Sequence, residues 1–418
     1  MMNQENKVPA IRFEEFSGEW SSKELGQLLE ITSAARVHKN EWTDSGVPFF
    51  RTSDVVSIYK GQENKKAYIS LELYKELTAR TGSLKKDDLL ITGGGSIGIP
   101  YLITNSDPMY SKDADLLWLK NTTGTNGYFL FTFFTSPPFR KYISSITHIG
   151  TISHYTIEQA KTTPILVSKE SKEQTKIGNY FQQLDTLIAQ HQKKHDKLLN
   201  IKKALLEKLF PKQGATEPEL RIKGFSGEWE ERNITKLSKV FIGLVTTMTK
   251  SYRSKGVLLI RNSDIKNNRF EFSDAPIYLD ESFADENAGR QLKVGDVVTV
   301  HTGDVGTSAV VTKNEENAIG FATIVSRPEK GIVDPNYLSV FLNTDTHKCF
   351  AMNVSTGDGR ANYNLKDFYK LNVPYTVINE QAKIGNLFKQ LDTLITQHQA
   401  QLKKLNNIKQ ACLEKMFV

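Results

Sequence analysis

Residues 173–192 read EQTKIGNYFQQLDTLIAQHQ and residues 380–399 read EQAKIGNLFKQLDTLITQHQ, identical at 16 of 20 positions. The likeness continues to Phe210 and Phe417, with 10 identities in the next 18 positions. Two such stretches at a fixed offset make the chain an internal repeat.

Each stretch has helical periodicity. Ile177, Leu184, His191, Leu198 and Leu205 recur every seven residues, flanked by Leu187 and Ile201 and widened by Phe181 and Ile188. The second copy supplies Ile384, Leu391, His398, Leu405 and Cys412, with Leu387, Leu394 and Ile408. Neither contains proline before its end, and each has one early glycine, Gly178 or Gly385. About 38 residues at 1.5 Å per residue make a rod of about 57 Å. A narrow apolar stripe on such a rod needs a partner helix, and the other copy is the obvious one. Body–helix–body–helix with equal halves can close around a pseudo-twofold axis, the helices antiparallel. His191 and His398, at the helix midpoints, are then expected to meet on that axis among Gln190, Gln192, Gln397 and Gln399, a polar layer that fixes register. A metal reading of His191 with His195 is disfavoured, because Leu402 replaces His195 in the second copy.

The repeat extends outward into the bodies. FSGEW occurs at 16–20 and 225–229, RTSDV at 51–55 answers RNSDI at 261–265, and Gly95-Ser96-Ile97-Gly98 answers Gly303-Asp304-Val305-Gly306. Elsewhere the bodies, 10–168 and 218–377, diverge. Asp88–Thr92 and Asp296–Val300 run into glycines and read as strands entering turns, while Tyr128–Phe134 and Tyr337–Leu342 read as helices. Lys212–Pro218 reads as a linker. The predicted fold class is α+β: two globular, α/β-mixed bodies separated by two long antiparallel coiled-coil helices. The predicted domains are 1–170, 171–211, 212–377 and 378–418.

A length of 418 residues allows two or three domains, and 39% apolar with 10% aromatic content supports real cores. Mean hydropathy is −0.40 and no apolar run approaches a membrane-spanning length. MMNQENKVPA has no apolar stretch of a secretory signal. Cys349 and Cys412 make neither a disulfide framework nor a metal knuckle, and are expected to be buried thiols in a reducing cytoplasm. The net charge of +7 sits in the helices: eight Lys against four acids in 172–210, and six against three in 379–418. The basic pI near 9.0 therefore says little about the bodies.

Catalytic motifs fail on inspection. Gly93–Gly98 satisfies GxGxxG, but the second half reads HTGDVG and no helical pattern follows, so a tight turn is expected. Ser136-Pro137-Pro138-Phe139 resembles the catalytic tetrapeptide of amino-methyltransferases, yet Asp345–Lys348 lacks it. GxxxxGK[ST], HExxH, paired CxxC and GxSxG are all missing, so no chemistry, cofactor or metal is expected in this chain.

PAIRFEEFSGEW (9–20) and PELRIKGFSGEW (218–229), then VPFFRTSD, the GSIG turn and EQxKIGNxFxQLDxLI, occur in the same order over essentially the whole chain. Together they resemble the specificity subunit of type I restriction–modification enzymes. The resemblance implies a non-catalytic, cytoplasmic protein without membrane contact, whose bodies are target recognition domains, each reading one half of a bipartite, asymmetric site in double-stranded DNA. The helices set the gap and dock two modification subunits, adenine methyltransferases using S-adenosylmethionine. Two restriction subunits add translocation and cleavage with ATP and Mg2+. A rod of about 57 Å can span half-sites one turn of DNA, about 34–36 Å, apart.

Base readers are polar side chains on loops. The candidates are Arg36, His38 and Lys39 in the first body and Lys250, Tyr252 and Arg253 in the second. The matched segments Arg51, Thr52, Ser53 and Arg261, Asn262, Ser263 have either a structural or a DNA-contacting role. Ser96, Asp304, His154, Tyr155, Arg360, Asn362 and Tyr363 complete the set. Asp54 and Asp264 are expected to brace turns, since a carboxylate faces phosphate repulsion. Lys193, Lys194, Lys202, Lys203, Lys403 and Lys404 read as a solvated coiled-coil face or as docking and phosphate contacts. The competing readings are a stand-alone DNA adenine methyltransferase and a coiled-coil scaffold without a DNA role.

Overall fold

The computed structural model describes residues 7–111, 115–147, 154–357 and 359–418. The chain forms two compact units, residues 1–191 with 401–418, and residues 192–400. Each combines one body with parts of both long helices, a central helix Ser171–Lys208 and a C-terminal helix Ile378–Met416.

In the first unit a four-stranded antiparallel sheet runs in the order Glu30–Thr32, Leu116–Lys120, Leu89–Thr92, Pro100–Leu102. All four residues of Leu89–Thr92 are buried, as the apolar run ending in glycines predicts. A smaller sheet follows the order Trp42–Thr43, Ala67–Ile69, Val47–Phe50, Tyr110–Ser111, its last pair parallel. The helix Gly127–Thr135 buries Phe129, Leu130, Phe133 and Phe134 between the main sheet and the long helices.

The second unit repeats this order. Its main sheet runs Ser238–Ile242, Ile324–Pro328, Val297–Thr299, Ser308–Val310, and its smaller sheet Tyr252–Arg253, Tyr278–Leu279, Val257–Ile260, Ile319–Gly320. The bodies part company just after the RxSD segments. The first has a helix, Thr52–Tyr59, where the second has a turn, Asn262–Asp264, and a two-stranded hairpin, Ile265–Lys266 with Arg269–Phe270.

Buried charge links the matched motifs. Glu173, at the start of the central helix, has no exposed surface and accepts from Arg12 Nε (2.6 Å), Arg12 Nη2 (2.8 Å) and Trp20 Nε1 (3.2 Å). Glu380 accepts from Arg221 Nε (2.9 Å), Arg221 Nη2 (3.0 Å) and Thr376 Oγ1 (2.5 Å). Hence the PxxR…GEW lead-in and the EQxKIG helix start occur together: each supplies half of an ion pair that cannot be buried singly. Each lead-in also hydrogen-bonds the far end of a long helix, Ile11 N to Lys415 O (3.0 Å) and Leu220 N to Lys208 O (2.9 Å). Phe417, just beyond the C-terminal helix, packs on Trp20 and Phe129, as Phe210 packs on Trp229 and Tyr337.

The early helical glycines permit a close approach. A Cβ on Gly178 would stand 2.0 Å from Asn126 Oδ1, and one on Gly385 2.8 Å from Asp334 Oδ1 and Tyr337 N. Asn126 and Asp334 cap the inner helices that follow them.

Within each unit the helical segments run antiparallel. In the first, Lys409 donates to Asp185 (2.5 Å) and Tyr180 meets Cys412; in the second, Lys202 donates to Asp392 (2.5 Å). The apolar stripe differs from expectation in one respect. Its second row is Phe181, Ile188, His195 and Lys202, four residues beyond the heptad positions, so Leu187 and Ile201 are 43% and 37% exposed. Leu394, the repeat mate of Leu187, is 43% exposed. The thiols also correct the expectation of burial. Cys412 is half-buried and Cys349 exposed, because His347 and Ala351 form the inward face of the helix Asp345–Val354 and Cys349 points the opposite way.

Candidate nucleic-acid interface

The RxSD segments end a buried strand and begin a turn or helix. Asp54 accepts from Arg51 N (2.9 Å), Nε (2.8 Å) and Nη2 (3.0 Å); Asp264 accepts from Arg261 N (2.9 Å), Nε (3.0 Å) and Nη2 (2.8 Å). Both carboxylates thus brace the turn. The Asp264 carboxylate holds Arg261 above the usual guanidinium value. The Arg51 guanidinium lies 5.2 Å from the ring centre of Trp42 and donates to Lys65 O (2.7 Å). Both arginines are therefore engaged with frame residues, which supports the structural side of their expected roles.

Asn262 has a similar bridging position. Its side chain donates to Ala322 O (3.1 Å) and accepts from His301 N (2.8 Å), while Thr302 Oγ1 donates to Asn362 Oδ1 (2.8 Å). Gly303 N bonds Ala361 O (3.2 Å), and Asp304 Oδ2 accepts from Thr307 Oγ1 (2.7 Å). Three stretches far apart in sequence, 261–263, 301–307 and 356–363, so converge on the glycine turn of the second body. Asp304, Ser263 and Arg360 are exposed there.

The first body has the same convergence. Gly93 N bonds Asp115 O (2.6 Å), Tyr155 N bonds Gly93 O (2.7 Å), and exposed His154 Nδ1 lies 3.4 Å from Asp115. Thr92 Oγ1 donates to Ser96 O and accepts from Ile99 N (2.9 Å), closing a turn whose tip, Gly95-Ser96, is exposed. The turn leads into the strand Pro100–Leu102 instead of a helix, which removes the dinucleotide reading.

Two candidates are corrected. Tyr155 is 2% exposed with its hydroxyl 2.6 Å from Thr163, and Tyr363 is fully buried beside His347. Burial raises both phenols well above the usual range. They are core residues, and no base can reach them. Ser136 and Phe139 are likewise fully buried, with Ser136 Oγ donating to Phe133 O (2.6 Å), so the SPPF stretch is a helix start in the core.

The remaining candidates lie on the surface. Arg36, His38, Lys39, Ser53, Lys250 and Arg253 are exposed, Thr52 and Tyr252 half-buried. His38 N donates to Glu41 (2.5 Å) in a one-turn helix, and Arg253 pairs with Asp280 (3.0 Å). Tyr252 adjoins Arg261 as Trp42 adjoins Arg51. Of the helix lysines, Lys202 is held by Asp392, whereas Lys193, Lys194, Lys203, Lys403 and Lys404 are exposed. His191 lies in the first unit and His398 in the second, both half-buried. Among the described residues no group of three His, Cys, Asp or Glu side chains has metal-site geometry, and no helix is long and apolar enough to cross a membrane.

Sequence reading missed the Asp185 and Asp392 posts, although QLD was visible in both copies. Asp185 accepts from Tyr128 Oη (2.6 Å) as well as Lys409. Nor does the sequence match Arg140 with Lys348, which follow Phe139 and His347, the residues that a Cβ on Gly98 or Gly306 would meet.

The family model described as type I restriction modification DNA specificity domain matches twice, at residues 17–200 and 226–407. The chain belongs to this family. A Haemophilus influenzae protein described as a type I restriction enzyme specificity subunit is 30% identical over 169 residues, 39% of this chain and 40% of that protein. The Escherichia coli EcoBI specificity subunit is 25% identical over 168 residues, 39% of this chain and 35% of its own length. The chain thus matches about two fifths or less of each relative. The crystal structure of the S subunit of a Mycoplasma genitalium type I restriction–modification system shares the fold, with a TM-score of 0.59 at 15% identity over 98% of this chain and 99% of that one.

Proposed function

We propose that this chain is the DNA-specificity subunit of a type I restriction–modification complex. The bodies, 1–170 and 212–377, are target recognition domains that each read one half of a split, asymmetric site. The helices, 171–211 and 378–418, set the gap and dock two modification subunits, with His191 and His398 as register-setting polar positions. S-adenosylmethionine, ATP and Mg2+ act on the modification and restriction subunits, in the cytoplasm.

One observation carries the reading: two copies of one frame bear different surfaces. The Arg–Glu clamp, the RxSD brace and the sheet order recur in both bodies, whereas a helix in one replaces a hairpin in the other immediately after the brace. Reading two unlike half-sites from one scaffold needs this division between frame and surface. The buried SPPF stretch speaks against a stand-alone methyltransferase.

The test is coexpression with the modification subunit and mapping of methylated adenines. A single motif of two short half-sites with a fixed gap is expected, and exchanging residues 10–168 should alter one half only. A contiguous or palindromic motif would overturn the reading of independent bodies. An intact complex without DNA binding would leave the scaffold reading.

A further inference from the structure

Seven arginines of the described chain are half-buried. Six of them, Arg12, Arg51, Arg221, Arg232, Arg261 and Arg327, hold a carboxylate within 3.1 Å. Arg140, on the helix Pro137–Thr147, has no carboxylate within ion-pair distance and no side-chain hydrogen bond among the described residues. Its guanidinium lies 5.7 Å from the ring centre of Phe139, and a Cβ on Gly98 would stand 3.4 Å from Nη1. It thus sits at the foot of the turn whose tip, Gly95-Ser96, is exposed. Burial pulls it below the ordinary guanidinium value, against a smaller opposing pull from the Tyr59 phenol.

The second body has a counterpart. A Cβ on Gly98 would meet Phe139 and Ile143; one on Gly306 would meet His347 and Ala351. These contacts match His347 with Phe139, and so Lys348 with Arg140, the next residue of each helix. Lys348 is half-buried, and among the described residues its amine bonds only a neutral group, Asn267 Oδ1 (3.0 Å). The helix beside each glycine turn therefore carries a cation with no ion pair among the described residues.

We propose that Arg140 and Lys348 are matched contacts to DNA backbone phosphates, one in each body, that seat the glycine turn on the duplex. This rests on the DNA-reading function proposed above and adds the residues that position each body. Phosphate is favoured over a base because the positive charge persists where the surrounding sequence does not. Arg and Lys are equivalent as point charges toward phosphate but unequal in two-pronged contact with a base edge. Phosphate contacts fix register without carrying sequence information, so bodies reading unlike half-sites can share them.

The test is a salt titration of DNA binding by the full chain assembled with its modification subunits. Arg140→Gln and Lys348→Gln should each lower the slope of log K against log salt by about 0.9. A fourfold rise in salt should then cost each variant roughly 3.5-fold less affinity than it costs the parent, again from that slope. The methylated motif should stay the same, and Arg140→Lys should restore the slope. A variant with the parent slope and a relaxed base position would make the residue a base reader and overturn the proposal. Unchanged slope and motif together would remove it from the interface. A parent complex that binds no DNA would instead defeat the proposed function, which separates the two failures.

Discussion

The two tryptophans of the GEW motifs form an internal control for the buried clamp. Trp20 and Trp229 occupy equivalent sites, 1% and 5% exposed, each packed edge-on against the phenylalanine that ends a long helix. Their polar surroundings differ in one bond. Trp20 Nε1 donates to the Glu173 carboxylate (3.2 Å), while Trp229 Nε1 is buried with no partner among the described residues, Glu380 being filled by Arg221 and Thr376. Replacing each with phenylalanine removes similar volume, so the cavity costs nearly cancel. Trp20→Phe also loses a hydrogen bond to a charged acceptor, about 1.5–3 kcal/mol, whereas Trp229→Phe removes an unsatisfied donor. The gap corresponds to roughly ten- to a hundredfold in local opening equilibrium. Amide hydrogen exchange on the full chain reads it directly. Trp20→Phe should lower protection across 173–184 by that factor beyond what Trp229→Phe does across 380–391. Equal loss at both sites would refute the assignment of the clamp's strength to its charged hydrogen bonds.

Two further outcomes follow from the packing. His347 is fully buried, with Nδ1 2.7 Å from Leu342 O, and burial pushes it down to about 4 from an ordinary 6.5. Between those values the unfolded chain holds the extra proton. The contribution is therefore intact above pH 6.5 and is lost as pH falls toward 4, by up to about 1.4 kcal/mol per pH unit. His347→Phe, which copies Phe139 of the first body, should shrink the drop in urea midpoint between pH 7 and pH 5; an undiminished drop would place the pH sensitivity elsewhere. Gly178→Ala drives a methyl against Asn126, and overpacking of this kind costs about 1–3 kcal/mol. Gly289→Ala, with open space around it, should stay within about 0.5 kcal/mol. Thermal midpoints of the two variants decide it, and equal midpoints would count against the close approach.

The architecture was legible because its signals were periodic or repeated. The helices, the strands before the glycine turns and the antiparallel pairing all follow from apolar spacing and the order of matched motifs. The second row of the stripe was not legible, because Leu187 and Phe181 are equally apolar and only packing decides between them. Tyr155 and Tyr363 misled for a similar reason. A tyrosine in a polar loop reads as a contact, but its ring is drawn inward by Phe139 in one body and by His347 in the other. Arg140 could not be found at all from composition. Its distinction is that no carboxylate among the described residues lies within ion-pair distance, and that is a property of neighbours in space.

The repeat also reverses the usual weight given to matched residues. If the halves read different half-sites, as proposed, a side chain that reads a base has every reason to differ between the halves, and one that holds the frame has none. Arg51 and Arg261 match, and both are found gripping their own aspartates. Arg36, His38 and Lys39 face no identical residues at Thr246–Thr249, and all are exposed. Matching identity therefore points to the frame and unmatched exposed polarity to specificity. Matched charge without matched identity, as at Arg140 and Lys348, points to a third class, the contacts that hold the duplex without reading it.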